Sequence, residues 1–244
     1  MSIKYKKIIE EIMGEEAKKR GFSIKSHPKL IATKPLGILE RTVDEQSQSL
    51  FITEDLIHQG DIYIMFEGKR MTYHYEDEET FRMAISQINE FLLREGYSKM
   101  DEWLKRPYYK QEDILKIKSD FEKTYDEYKL THASGGLSDG VKFICTEIEN
   151  SYDIDWEGAK KTIIYLSELL IGLMLDKIED TYLKEGRENW IFVERNNNIK
   201  RLAHRSPATL VLNAYQHKST NKYLIEYVKR FLSEAELEEF EENL

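Results

Sequence analysis

The 244-residue chain has a single cysteine and no long uninterrupted run of apolar residues. A single cysteine, Cys145, cannot form an intrachain disulfide, which is consistent with a reducing compartment. The apolar residues around it predict that its small side chain is buried. The longest apolar stretch, residues 163–175, contains Glu168 and falls short of the roughly 20 residues that a membrane span needs. The first 20 residues also lack the apolar run of a signal peptide. We therefore expect a cytoplasmic protein without a membrane anchor.

The common motifs of catalytic and metal sites are also missing from the sequence. No histidine or cysteine pair has metal-site spacing, Gly135-Gly136 lacks the lysine of a phosphate loop, and no serine lies in a nucleophile elbow. Glu67-Gly68-Lys69 is similar to the short Glu-x-Lys motif of Mg²⁺-dependent nucleases, but the flanking alternation predicts a tight turn instead. We predict no metal and no cofactor, and the sequence leaves open whether the protein is an enzyme.

Residues 1–105 have the pattern of an α+β domain. A helix is predicted up to Arg20, where Gly21 would end it, and two imperfect strands follow within residues 36–53. Residues 61–75 alternate with period two around Gly68, which predicts a hairpin. Asp77 is the expected cap of a further helix, which we predict to end at Gly96. The helix, antiparallel sheet and helix would form one layer.

Residues 111–244 predict a mostly helical domain around one long buried helix. That helix is predicted over residues 156–185, capped by Asp155, and its middle is apolar on nearly every face, so it must be buried all round. We expect its one central carboxylate, Glu168, to lie at the edge of the apolar band or to pair with a base. Ser206-Pro207 and Ser233 with Glu236 predict the starts of two later helices.

Charge is distributed unevenly along the chain. Residues 1–110 carry 18 basic and 19 acidic side chains, whereas residues 111–244 carry 18 and 26. Within that acidic half, residues 195–230 contain eight basic side chains and one acidic side chain. The overall charge of -9 argues against indiscriminate binding of nucleic acid, but a local basic segment attracts phosphates.

The basic segment allows two interpretations. Lys200, Arg201 and Arg205, with the free amides at the helix start after Ser206, could hold a phosphate of RNA or of a nucleotide. Alternatively, the bases lie against the acidic C-terminal helix and neutralise it, within the fold or across a homodimer.

Arg195-Asn196 followed by His204 resembles the Arg-Asn…His motif of the HEPN ribonuclease superfamily. In that family the arginine and the histidine meet over an RNA phosphodiester and cleave it without a metal. The resemblance covers about ten residues, and the family places its histidine closer to the arginine than the eight residues that intervene here. It implies Arg195, Asn196 and His204 as catalytic residues of a metal-independent ribonuclease.

The leading hypothesis is a different one. The missing catalytic motifs, the segregated charge and the 15 tyrosines favour a non-catalytic protein–protein interaction factor, such as an immunity or defence-related protein. Its partner would be another protein, bound through the acidic surface of the last helix or clamped by aromatic side chains. The acidic residues predicted to bind it are Glu238, Glu239, Glu241 and Glu242.

Overall fold

A computed structural model describes residues 3–26, 34–132, 135–186, 190–195 and 206–244. These residues form a mixed α+β protein, which confirms the predicted fold class. The chain divides into two compact units, Met1–Arg106 and Pro107–Leu244.

The first unit packs helices on one face of a five-stranded antiparallel sheet with strand order β1-β2-β3-β4-β5. Its elements are α1 (Tyr5–Lys19), β1 (Ser23–Lys25), β2 (Lys34–Val43), β3 (Gln46–Glu54), β4 (Asp61–Phe66), β5 (Lys69–His74), α2 (Glu78–Phe91) and α3 (Tyr97–Trp103). The predicted alternation is confirmed, because Ile62 and Ile64 are fully buried against the helices. Gly21 ends α1 with φ +78°, as predicted.

Gly96 does not end a helix, so that prediction was wrong. A π-helical turn, Leu92–Gly96, carries the chain from α2 directly into α3. Gly96 keeps right-handed helical angles, φ -62° and ψ -48°. A Cβ atom there would lie 2.5 Å from Leu92 Cδ2. The glycine therefore serves close packing rather than termination.

The elements of the second unit pack around one central helix. Its elements are α4 (Gln111–Thr131), α5 (Leu137–Asn150), α6 (Trp156–Lys177), β6 (Thr181–Glu185), β7 (Ile191–Arg195), α7 (Pro207–Gln216), α8 (Glu226–Val228) and α9 (Glu234–Glu242), with a π-helical turn, Asn221–Ile225, and a 3-10 turn, Lys229–Phe231, beside α8. Asp155 caps α6 by accepting from Gly158 N at 2.9 Å, as predicted. Cys145 is buried on α5, and burial raises the pKa of its thiol to about 11.

The central helix is shorter than the sequence predicted. It ends at Lys177, and Ile178 turns extended with φ -110° and ψ 120°. Residues 181–185, predicted as helix, instead form β6 and pair with β7 in antiparallel register, Leu183 opposite Val193. Hydrogen bonds to a partner strand satisfy the backbone here, and no local pattern shows that partner in advance.

Glu168 on α6 is also placed differently from the prediction. It is 4 % exposed, so it lies within the apolar band rather than at its edge. The hydroxyl of Thr124 on α4 donates to Oε2 at 2.6 Å, and no ion pair joins Glu168 to a base among the described residues. Oε1 is buried and has no hydrogen-bond partner in the described parts of the chain. Burial is the main reason that the pKa of Glu168 is raised above its ordinary value.

Candidate protein-binding site

Helix α9 presents the acidic residues that the sequence pointed to. Ser233 and Glu236 form the predicted capping box: Ser233 N donates to Glu236 Oε2 at 2.6 Å, and Glu236 N donates to Ser233 Oγ at 3.4 Å. Phe240 anchors the helix on the core at 2 % exposure. The four predicted binding residues, Glu238, Glu239, Glu241 and Glu242, are all exposed.

These four carboxylates differ in their partners. Glu241 accepts from Lys229 Nζ at 2.8 Å, so its charge is largely compensated. In the part of the chain that the structure describes, no cation lies within ion-pair distance of Glu238, Glu239 or Glu242. We name these three residues the acidic face of α9. Exposed like charges without counterions form a negative surface potential that reaches about 8 Å at physiological salt.

A cleft of about 330 Å³ adjoins the acidic face, between α9 and the start of α5. Its charged lining consists of three carboxylates and one amine, and its apolar lining comes from Leu137, Leu232 and Phe240; the charged residues are Asp139, Glu236, Glu239 and Lys177. Ser138 Oγ donates to the carbonyl of Phe240 at 3.1 Å and joins α5 to α9 at the cleft. A net negative cleft with apolar walls suits a lysine or arginine side chain, whose stem is apolar and whose head is charged.

Arg195 is held by the start of α9. Its Nη1 donates to Glu236 Oε2 at 2.7 Å and to the carbonyl of Phe231 at 2.5 Å, while Nη2 donates to Glu236 Oε1 at 3.2 Å. The side chains are only 13 % and 21 % exposed. Burial would raise the pKa of Glu236, but the hydrogen bonds from Arg195 and Ser233 outweigh it and lower the pKa to about 2.

The other residues of the basic-segment hypothesis lie outside the described residues: Asn196, Lys200, Arg201, His204 and Arg205. The structure therefore tests neither the phosphate-binding set nor the resemblance to the Arg-Asn…His motif. It does show Arg195 in the arrangement of the competing interpretation, in which a base from the segment neutralises the acidic helix.

Two further sequence features acquire structural explanations. Seven of the 15 tyrosines are core residues, namely Tyr75, Tyr97, Tyr109, Tyr125, Tyr128, Tyr215 and Tyr227. Much of the aromatic content therefore serves packing rather than a surface clamp.

Glu67 and Gly68 form the tight turn between β4 and β5 with φ +51° and +75°, and Glu67 accepts from Lys99 at 2.7 Å.

Sequence reasoning missed Asp139 and Lys177 as parts of the cleft. Asp139 had a local signal, since it stands in the first turn of α5 and accepts from Gly136 N at 3.1 Å. Lys177 is the last residue of α6, and the overlong helix prediction hid that position.

Comparison of the chain with models of protein families, with curated proteins and with solved structures found no match. Among the described residues, no helix is long and apolar enough to cross a membrane, and no group of three or more acidic, histidine or cysteine side chains is placed to hold a metal ion.

Proposed function

We propose that the protein is a non-catalytic, cytosolic protein-binding factor, in the manner of an immunity or defence-related protein. It holds a basic segment of another protein against the acidic face of α9 and in the adjoining cleft. The observation that carries the proposal is the placement of three exposed carboxylates, Glu238, Glu239 and Glu242, beside a negatively charged cleft with apolar walls; none of the three forms an ion pair with a described residue.

The binding mode follows from the lining of the cleft. The stem of a lysine or arginine would pack on Phe240 and Leu232, and its head would meet Glu239 and Asp139. Exposed acids at the rim mainly accelerate association and select basic partners, and desolvated contacts in the cleft supply more of the affinity. Binding should therefore weaken with salt without disappearing.

The contacts of Arg195 support this proposal over a ribonuclease. A catalytic arginine must be free to meet a phosphodiester, whereas Arg195 donates three hydrogen bonds to Glu236 and Phe231. Releasing it would leave a partly buried carboxylate without its counterion, which is unfavourable.

The test compares two sets of charge reversals. Glu238, Glu239, Glu241 and Glu242 are changed to lysine in one variant, and the matched control carries the same change at Glu90, Glu102, Glu122 and Glu127, which are also exposed. Each reversal adds two charges, so both variants change the net charge from -9 to -1. Affinity purification from the native cell with each immobilised variant then shows which captured proteins depend on α9.

We expect a partner that the wild type and the control retain and that the α9 variant loses. With the purified partner, the α9 reversal should weaken binding at least about tenfold, which corresponds to about 1.4 kcal/mol. Equal loss of binding in both variants would indicate a response to total charge alone. If both variants bind the partner as the wild type does, the partner either binds another surface or does not bind specifically.

A further inference from the structure

One edge of the sheet in the first unit is open. β5 is the last strand in the order β1-β2-β3-β4-β5, so among the described strands only β4 pairs with it. All six of its side chains are exposed or half-buried. The opposite edge strand, β1, has only three residues, whereas β5 is twice as long and contains neither a proline nor a bulge. An edge strand of this kind is a template for a further strand.

The register of the β4–β5 hairpin identifies the free backbone groups of β5. Tyr75 N donates to the carbonyl of Gly60 at 2.6 Å, so these two residues are a hydrogen-bonded pair. From there, hydrogen-bonded and non-hydrogen-bonded pairs alternate along the hairpin. The residues whose N–H and C=O groups point away from β4 are Arg70, Thr72 and His74. In the described parts of the chain, none of these outward groups has a backbone partner.

The charge along β5 changes sign from one end to the other. The strand begins with Lys69 and Arg70. Arg70 binds Asp55 through Nη2, but its side chain is still 44 % exposed, and no described residue accepts a hydrogen bond from its Nη1. The strand ends at His74, which contacts two carboxylates, those of Asp61 at 2.8 Å and Glu76 at 3.7 Å. β5 therefore has a basic start and acidic surroundings at its end.

A second copy of the strand can satisfy the outward groups in one symmetric register. Outward-pointing residues must oppose each other in an antiparallel pair. The register with the longest overlap puts Thr72 of both copies on a two-fold axis and Arg70 of each copy opposite His74 of the other. The basic start of each strand then meets the acidic end of the other, twice by symmetry. Met71 meets Tyr73 of the other copy on the face where both already pack on the core.

We propose that the protein forms a homodimer through antiparallel pairing of β5 with β5 of a second copy. The two five-stranded sheets become one continuous sheet that carries the helices of both copies on the same face and ends in the short β1 strands. The symmetric register and the opposite charges at the two ends of β5 favour a second copy over an unrelated extended peptide. The dimer uses the first unit, so it goes beyond the protein-binding function proposed for the second.

Sedimentation equilibrium of the full-length chain tests the proposal. We expect a reversible species of twice the 29.0 kDa chain mass that grows with concentration. Thr72→Lys and Thr72→Glu each place two like charges opposite each other on the two-fold axis, so each should weaken the dimer at least about tenfold. An equal mixture of the two variants should dimerise again, because a lysine then faces a glutamate. Circular dichroism checks the fold of both, which the exposure of Thr72 should leave intact.

A matched control separates this pairing from a response to charge. Ser49→Lys makes the same change in charge at an exposed position on the same face of the sheet, but in β3, which has a neighbouring strand on each side. This variant should dimerise as the wild type does.

Hydrogen exchange locates the interface. The amides of Arg70, Thr72 and His74 should become protected as the concentration of the wild type rises, because they gain acceptors in the other copy. The amides of Met71 and Tyr73, which bond to β4, should be protected at every concentration.

The proposal is overturned if the wild type stays monomeric, or if the mixture of Thr72→Lys and Thr72→Glu associates no better than either variant alone. A dimer in which the three outward amides stay unprotected uses another surface and overturns it as well. Protection of those amides by a captured protein on a monomeric chain would assign the edge to a foreign strand and would also overturn the homodimer.

Discussion

Glu236 and Glu168 are two poorly exposed carboxylates of the same unit, and their pKa values are shifted in opposite directions. Glu236 accepts hydrogen bonds from Arg195 and Ser233, and its pKa is lowered to about 2. Glu168 is more deeply buried, accepts one hydrogen bond from Thr124, and has its pKa raised. The comparison shows that donors, rather than burial alone, determine whether a carboxylate stabilises this protein in its charged form.

The largest expected effect comes from removing the cation of the Glu236 pair. Arg195→Ala should lower the free energy of unfolding by about 3 kcal/mol, because it leaves a partly buried carboxylate without its counterion. Urea denaturation at pH 7 measures this. Lys123→Ala, which removes an exposed pair with Glu127 at 3.8 Å, should cost far less. Equal losses would show that the Arg195 pair is energetically an ordinary surface pair.

The same ion pair should contribute to the loss of folding stability at acidic pH. Since the pKa of Glu236 falls from 4.5 to about 2 on folding, its contribution is present above about pH 4.5 and is lost as the pH falls towards 2. The Arg195→Ala variant should lack that part of the acid-induced decline. An unchanged acid limb in the variant would assign the decline to other carboxylates.

A smaller effect of opposite sign is expected at Glu168. Because its pKa is raised on folding, its contribution is fully present below pH 4.5 and is lost as the pH rises through the folded pKa. Glu168→Gln should therefore raise the free energy of unfolding by about 1 kcal/mol at pH 8 and change it little at pH 4. Denaturation at both pH values measures the difference. A loss of stability at pH 8 would mean that the charged carboxylate gains more from the Thr124 hydroxyl than burial costs it.

The smallest effect is expected at His204. If Arg195 stays bound to Glu236, no arginine–histidine pair forms over RNA, and His204→Ala should change neither fold nor RNA turnover. The measurement is cleavage of a labelled RNA in the presence of a metal chelator, with circular dichroism to check the fold. Chelator-resistant cleavage by the wild type that His204→Ala abolishes would instead establish the ribonuclease interpretation.

Local signals predicted much of this fold. Alternation at Ile62 and Ile64, the cap at Asp77 and the capping box at Ser233 were all readable, because neighbouring residues alone produce them. The errors arose where distant residues decide. Residues 181–185 form a strand because β7 lies alongside, and Gly96 continues a helix because Leu92 packs against it.

The candidate site also has parts that the sequence could predict and parts that it could not. The exposed acids of α9 were predictable from composition. The cleft was not, because Asp139 and Lys177 reach it from two other helices. The side chain of Ser206 was also not predictable: a serine before a proline predicts a cap hydrogen bond at the helix start, and Ser206 makes none to the first turn of α7.

The lone cysteine has a practical consequence. Cys145 is 8 % exposed on α5, the helix whose first turn lines the cleft, and burial raises the pKa of its thiol to about 11. A thiol-specific reagent can therefore modify it only when the helical unit opens, because both access and the thiolate are needed. Because the chain has no second thiol, the rate at which Cys145 is labelled measures how often this unit opens. A partner that binds the folded unit should lower that rate, so its binding can be detected without a fluorescent tag.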